Sequence, residues 1–415
     1  MPEQTSSPDY KLTLTSSLFG AQILFVVFGG LVTLPVLTGL DPGVALLTAG
    51  AGTLIFQLIT KRKVPVFLAS SFAFLAPIMV AVKTWGIPAT MGGLMVTALI
   101  YFILSGLIKW KGKDILDLVF PPIVVGPIII VIGLILAPVA VSMALGKGNS
   151  ANLLPQKSSL IVALISLATT VIVSLFGKGK FRLVPILCGV LAGYLASIPF
   201  GIIDFSLVAE APWIALPRFV LPQWSWKAIV FLLPAGIAPA IGHFGDILAI
   251  SAVTGKNYLK DPGVHRTLLG DGVSSLLAAC VGGPPSSIYA EVTGTVALTK
   301  LYNPAIMTWA AIFAIGLAFV GKLGAFIQTI PIPVAGGLLI VLFGIIIVTG
   351  INSLVKVGQD LLQLRNLLIV TLMLVFGIGG IVFSAGAFTF EGVGLATVLG
   401  IILNLVLPDK TAESN

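Results

Sequence analysis

Apolar runs long enough to cross a bilayer recur from Leu18 to Leu407, separated by short polar stretches. About fourteen can be marked, near 17–39, 43–60, 65–82, 87–108, 117–140, 158–176, 182–203, 228–252, 264–281, 285–299, 304–320, 331–350, 366–383 and 387–407. They predict an all-α polytopic membrane protein and leave no stretch of the 415 residues for a soluble domain. The first run is long, lacks a basic leader and an A-x-A-like site, and is followed by further spans, so it reads as a retained helix rather than a signal peptide. The ends, 1–10 and 408–415, are polar and read as short disordered tails on the cytoplasmic side.

Composition agrees, with 57% of residues hydrophobic and 9% charged. A net charge of +8 would suggest an acidic partner for a soluble protein, but in a membrane protein the position of each base matters more than the sum. With the N-terminus inside, the outer loops hold Lys83, Lys147, Lys157, Arg218, Lys227 and Lys322, and the other 17 of the 23 Lys and Arg fall on the inner side. This asymmetry supports an even number of spans with both termini in the cytoplasm, and it explains the basic excess without a nucleic-acid partner. Cys188 and Cys280 sit in apolar segments without metal-ligand spacing and read as small core residues. His265 belongs to the basic loop 261–266, which leaves His243 as the embedded histidine.

Against this background one carboxylate stands out. Glu291 lies in Pro284-Pro285-Ser286-Ser287-Ile288-Tyr289-Ala290-Glu291-Val292-Thr293-Gly294, with no other acid or base between Asp271 and Lys300. A charge at the centre of a span costs roughly 2.5–3.5 kcal/mol on insertion scales, so it persists where it faces a cavity, a partner or a substrate.

Two short segments look discontinuous, and they occupy the third place in each half if the halves divide near Glu210. One is 64–77, with Ser70-Ser71; the other carries Glu291, with Ser286-Ser287. Each starts at proline, runs through small residues and then becomes helix-compatible. A short strand leading into a half-helix leaves free N–H groups and a positive dipole end near the midplane, which suits electronegative atoms. The alternative is a pair of proline-kinked packing helices. The eighth segment carries Gly242, His243 and Asp246, whose spacing puts them near one another on a helix. They suggest a proton path with Glu291, or a self-satisfied polar pair. Glycines in Phe28-Gly29-Gly30 and Ala335-Gly336-Gly337 suit close helix approach, and Trp224, Trp226 and Trp309 suit interfacial anchoring or packing.

Several stretches together carry a resemblance: Phe28-Gly29 through Pro35, Ser70-Ser71-Phe72-Ala73-Phe74, Asp261-Pro262-Gly263-Val264-His265-Arg266, the Glu291-x-x-Gly294-x-x-x-x-Thr299-Lys300 signature, and Pro331-Ile332-Pro333-Val334-Ala335-Gly336-Gly337. Over essentially its whole length the sequence resembles the nucleobase-ascorbate transporter family, and within it the bacterial uracil/proton symporters. The resemblance implies a 7+7 inverted repeat. It also implies a core domain at about 17–108 and 228–328, a gate domain at about 117–203 and 331–407, a homodimer, and an elevator-like movement of the core. It implies that the base is held by Glu291 and by backbone groups of Phe72 and Ala290, near Gly30 and Tyr289. The bacterial inner membrane is the expected location, a proton the expected coupling ion, and no cofactor or metal is expected.

The chain departs from the family pattern in places. Gly242 stands where a second substrate-contacting glutamate is usual, Gln22-Ile23 where Gln-His is usual, Val292 where Asn is usual, and Phe343 where the uracil symporters have a gate tyrosine. Gly242 leaves volume for a larger base or for a contact from His243. Asp246 matches a position that is His or Asp in the family, so Asp246, His243 and Glu291 are the expected coupling residues. The expected function is import of a nucleobase, uracil foremost, with protons. The alternatives are a purine permease of xanthine or urate type and an anion transporter of the same fold. The sequence offers no hydrolytic triad, metal cluster, P-loop or dinucleotide fingerprint, so no enzyme is expected.

Overall fold

Thr13 opens the first helix, α1 (Leu14–Thr38), with a reciprocal cap in which its side chain accepts from the Ser16 amide and the Ser16 hydroxyl accepts from the Thr13 amide. Asp41 caps α2 (Pro42–Ile59), accepting from Val44 N–H at 3.0 Å, and Pro42 stands at the helix start, where its missing N–H is not needed. In this computed structural model the described residues are 9–111, 121–147, 154–178, 185–355, 357–385 and 388–407. The expected tails, save Asp9 and Tyr10, lie outside them, as do the first residues of the fifth and seventh predicted segments.

After α2 the chain does not enter another whole helix. It forms a three-residue strand, β1 (Leu68–Ser70), a 3-10 turn (Phe72–Phe74) and then α3 (Leu75–Lys111). Gly86, at φ 81° and ψ 169°, breaks α3 into a short arm and a long one, at the boundary between the third and fourth predicted segments. Next come α4 (Pro122–Ala144), α5 (Gln156–Phe176), α6 (Pro185–Ser197) and the short surface helix α7 (Ser206–Glu210).

The second half begins with α8 (Trp226–Leu232), a 3-10 turn, α9 (Ile237–Thr254) and α10 (Val264–Val281). A second three-residue strand, β2 (Ser286–Ile288), leads into the short α11 (Ala290–Thr299). Helices α12 (Ala305–Ala318), α13 (Gly321–Gln328), α14 (Ile332–Val355) and α15 (Leu364–Ile378) follow. The chain finishes with an antiparallel hairpin, β3 (Val382–Ala385) and β4 (Phe388–Glu391), and α16 (Gly392–Val406). That hairpin corrects the all-helical expectation: the thirteenth predicted segment stops at Ile378, not 383, and the fourteenth starts at Gly392, not 387.

Among the described residues seven helical stretches are long and apolar enough to cross a membrane, and four shorter apolar helices accompany them. The protein is multi-pass. Helix association in lipid rests on close van der Waals packing rather than on the hydrophobic effect, and the glycines serve it. A Cβ on Gly336 or Gly337 would collide with the backbone of Ala144 on α4 or Ala163 on α5.

Two apolar clusters frame the centre. One joins α1, α2, β1, α11 and α12 through Ile23, Phe56, Leu68, Val292 and Met307. The other is a seam. Leu34, Leu75 and Ala238, from α1, α3 and α9, meet Ile128 and Ile132 of α4 and Leu339 and Phe343 of α14. All these seam side chains are apolar and buried, so the two faces meet without directional bonds. Trp309 packs inward and donates from Nε1 to Thr13 O at 3.1 Å, whereas Trp224 and Trp226 form an exposed edge-to-face pair.

Candidate functional site

Strands β1 and β2 pair antiparallel, with Leu68 opposite Ile288, Ala69 opposite Ser287 and Ser70 opposite Ser286, and Ser71 N–H donates to Pro285 O at 2.8 Å. Such short strands satisfy few of their own backbone groups, and each is supported from a helix behind it. Thr53 of α2 accepts from Leu68 N–H at 2.9 Å and lies 3.3 Å from Leu68 O. Ser275 of α10 likewise accepts from Ser286 N–H at 3.1 Å and donates to Ser286 O at 3.2 Å. One hydroxyl therefore holds both backbone groups of one strand residue, on each side of the pair. Tyr289 adds a tie between the segments, donating from its hydroxyl to Ser70 O at 2.7 Å.

Where the strands end, helices begin. The N–H groups of Phe72 and Ala73 on one side, and of Ala290 and Glu291 on the other, head their helices with no preceding turn to receive them. Both positive dipole ends open on one cleft of about 230 Å³. Ser71, Phe72 and Ala73 line it from the first segment, and Ser287, Tyr289 and Glu291 from the second. Helix α9 contributes Pro239, Gly242 and Asp246. The volume lies below the roughly 300–1,000 Å³ of drug-sized pockets and suits one small planar molecule. The Phe72 and Tyr289 rings lie 6.3 Å apart and 30° from parallel, giving the cleft an aromatic wall. A larger cavity, of about 710 Å³, opens beside Lys83 and Lys147 between α1, α3, α4 and α14, away from these residues.

The structure thus brings together Glu291, Phe72, Tyr289, Gly242 and Asp246, with the backbone of Ala290 at the helix start. Gly30 stands behind them: a Cβ there would lie 2.5 Å from Tyr289 Cε2 and 2.6 Å from its hydroxyl, so Gly30 is the floor on which the tyrosine rests. At Gly242 an added Cβ meets no atom within 4 Å, so the space expected there is present.

His243 differs from expectation. It does not line the cleft or pair with Asp246; it turns the other way, placing Nδ1 3.0 Å from Asp271 Oδ2 and Nε2 2.9 Å from Thr267 Oγ1. Successive residues on a helix are about 100° apart, so Gly242 and His243 cannot both face the cleft squarely. The sequence reading missed Asp271, although a buried acid in an apolar segment carries the same warning as Glu291. It also missed the supporting hydroxyls of Thr53 and Ser275, which look like ordinary helix residues. Among the described residues no cluster of His, Cys, Asp and Glu could hold a metal ion.

The xanthine/uracil-type permease family model matches residues 14–385. A probable uracil permease of Haemophilus influenzae is 51% identical over 400 residues, covering 96% of each chain. The uracil permease of Bacillus caldolyticus is 41% identical, over 94% of this chain and 91% of that one, and that of Escherichia coli 37%, over 93% and 89%. Among solved structures, the transmembrane domain of the cyanobacterial bicarbonate transporter BicA matches with a TM-score of 0.65 at 14% identity, over 94% of this chain and 97% of that one. The murine anion transporter Slc26a9 matches at 0.69 and 13%, over 96% and 69%. Those two likenesses establish a shared fold alone. The family match and the relatives' identities reach further: the chain belongs to the xanthine/uracil permease family, the nucleobase-ascorbate transporters.

Proposed function

We propose that this protein is a secondary transporter that imports a nucleobase, uracil foremost, with protons across the bacterial inner membrane. The observation that carries the reading is the cleft itself: the Glu291 carboxylate, with Asp246 facing it from α9, beside two helix starts and an aromatic wall. A nucleobase edge alternates N–H donors with C=O acceptors. Glu291 accepts from the former, the N–H groups of Phe72 and Ala290 donate to the latter, and the Phe72 and Tyr289 rings cover the plane. Asp246 and Glu291, two acids in one cleft with no basic side chain among the described residues that line it, are the groups that take up the coupled proton. The names of the uracil permeases among its relatives support the choice of base.

For the movement, an elevator-type step of a core (about 17–108 and 228–328) against a gate (about 117–203 and 331–407) fits the apolar seam of Leu34 and Leu75 against Ile132 and Leu339. Such a surface can slide without breaking hydrogen bonds. Matched hydroxyl supports on β1 and β2, from the second of the predicted segments in each half, favour a 7+7 inverted repeat of 14 segments. A homodimer with both termini in the cytoplasm completes the proposal.

The open space at Gly242 favours one second reading, a purine permease for xanthine- or urate-like bases. An anion carrier of the same fold is disfavoured because Glu291 would repel the cargo. Uptake of labelled uracil into proteoliposomes, with and without an inward proton gradient, tests the proposal, with Glu291→Gln as control and xanthine, urate and adenine as competitors. Gradient-stimulated uptake lost in Glu291→Gln is expected. Carriage of a purine but not uracil would select the second reading, and chloride- or bicarbonate-dependent flux without base binding would overturn both.

A further inference from the structure

From Pro212 to Ser225, on the way to α8, the chain runs as an extended strap with no helix of its own. A helix leaves its last carbonyls without partners, and the strap supplies donors to several at one end of the bundle. Val220 N–H donates at 3.2 Å to the oxygen of Val281, the last residue of α10, and Ala215 N–H at 3.0 Å to the oxygen of Phe319, just past α12. Gln223 N–H donates to Pro88 O, at the start of the long arm of α3, at 2.8 Å, and Trp213 O accepts from Gly321 N–H at 3.0 Å. Glycines let the strap lie this close: a Cβ on Gly92 would collide with Gln223 O, and one on Gly321 would lie 2.5 Å from Pro212 O. The strap is therefore bound to the ends of α3, α10 and α12 and is not a loose linker.

With its backbone bonded inward, the strap turns its side chains outward. Trp213, Ile214, Leu216, Leu221, Trp224 and Trp226 are all exposed, Ile214 to 82% and Leu216 to 77%. Single exposed apolar side chains are ordinary on a water-facing surface, but a run of six large ones marks an interaction surface. Its depth follows from what it touches. Trp226 opens the apolar stretch Trp226–Thr254, long enough to cross a membrane, and Pro217 sits against Gly43 at the start of another, Pro42–Ile59. Both stretches begin where a hydrocarbon core begins.

Cations stand among the rings. Lys322 Nζ lies 5.8 Å from the centre of the Trp213 ring while donating to Val208 O and Ala209 O, and Arg218 and Lys227 are exposed. The acids nearby, Asp41 and Glu210, share a cavity with Arg218. Indole and basic side chains at the ends of spans suit the headgroup level of a bilayer, where an apolar ring is buried while an N–H or ammonium group meets phosphate and water. A second copy of the chain suits this surface less well, since a two-fold contact would set the same basic groups against themselves.

We propose that residues 212–226 form an interfacial anchor: their Trp, Ile and Leu side chains enter the headgroup and acyl boundary of the phospholipid bilayer, while their backbone ties that surface to the ends of α3, α10 and α12. The anchor is independent of what the cleft carries.

The test uses the full chain in liposomes. With Cys188→Ser and Cys280→Ser removing both native thiols, a nitroxide is attached at Leu216→Cys or Leu221→Cys. Relaxation by oxygen, which concentrates in lipid, is compared with relaxation by a water-soluble nickel chelate. Oxygen should dominate at both positions. Dominance of nickel would place the strap in water and overturn the proposal. Poor access to both reagents would mean a protein cover and overturn it too, with dipolar broadening between labels identifying a second copy. If the cysteine variants do not fold, native fluorescence with brominated phospholipids decides. The variant Trp213→Phe with Trp224→Phe and Trp226→Phe should lose much of the lipid-quenched signal, and undiminished quenching would reject the anchor.

Discussion

The hydroxyl of Tyr289 donates to the main-chain oxygen of Ser70 across 2.7 Å, joining two segments that lie 219 residues apart in the chain. The bond is buried, and the same ring forms the wall of the cleft and rests on Gly30. Tyr289→Phe keeps the ring and removes the bond, leaving Ser70 O without its side-chain donor. The variant should lose about 1–3 kcal/mol of stability, and the KM for base uptake should rise while the protein still reaches the membrane. Thermal unfolding in detergent, with and without base, measures the first effect, and uptake kinetics the second.

Gly30 and Gly242 should respond oppositely to the same change. A methyl at Gly30 would sit only 2.5–2.9 Å from atoms of the Tyr289 ring and must displace it, so Gly30→Ala should abolish uptake. A methyl at Gly242 enters open space, so Gly242→Ala should leave stability within about 0.5 kcal/mol of wild type. It should, however, shift competition against bicyclic bases relative to uracil. Equal loss of uptake in both variants would contradict the packing described around the cleft.

Thr53→Val preserves shape and removes the hydroxyl that holds both backbone groups of Leu68. An orphaned N–H in this interior costs about 1–3 kcal/mol. Because β1 sets the direction of the Phe72 and Ala73 amides, lowered stability should be accompanied by weaker base binding. Calorimetric titration of purified protein checks the binding, and Ser275→Ala should behave alike on the β2 side.

On the loops, Lys63 Nζ lies 2.7 Å and 2.5 Å from the two oxygens of Asp261, and this hydrogen-bonded ion pair holds the Asp261 carboxyl below the usual carboxylate range. A depressed carboxyl contributes stability that is present above its unfolded value, about 3.9, and lost as pH falls through its lower folded value. Asp261→Asn should therefore lower the Tm slightly at pH 7, and the gap from wild type should close in acid. High salt should narrow it as well, since both side chains are solvent-exposed. A gap that keeps its full width as the pH falls from 7 into acid would mean the carboxylate is not its source.

Much of this site could be read before any coordinates. Glu291 was conspicuous because charge is costly in an apolar span, and the two Ser-Ser segments because proline and small residues interrupt otherwise continuous runs. Both signals are local. The partnership of His243 with Asp271 was not local: it depends on how α9 is rotated against α10, and a composition apolar on all sides gives no periodicity from which to fix that rotation. The β3–β4 hairpin was hidden for a related reason. Residues 382–391 continue the apolar character of their neighbours, and a short apolar run reads equally as strand or helix. The hydroxyls of Thr53 and Ser275 gave no signal, because their value lies in strand residues that approach them only in the folded chain.

The pairing of β1 with β2 also constrains how the protein is made. Residues 68–70 enter the membrane long before residues 286–288 have been synthesised, and until then three extended residues have no partner strand in an environment where unpaired amides are costly. Thr53 is the early protector, since it lies on the helix just completed and can hold Leu68 while the ribosome finishes the second half. Pairing of β1 therefore waits on a sequence more than two hundred residues downstream.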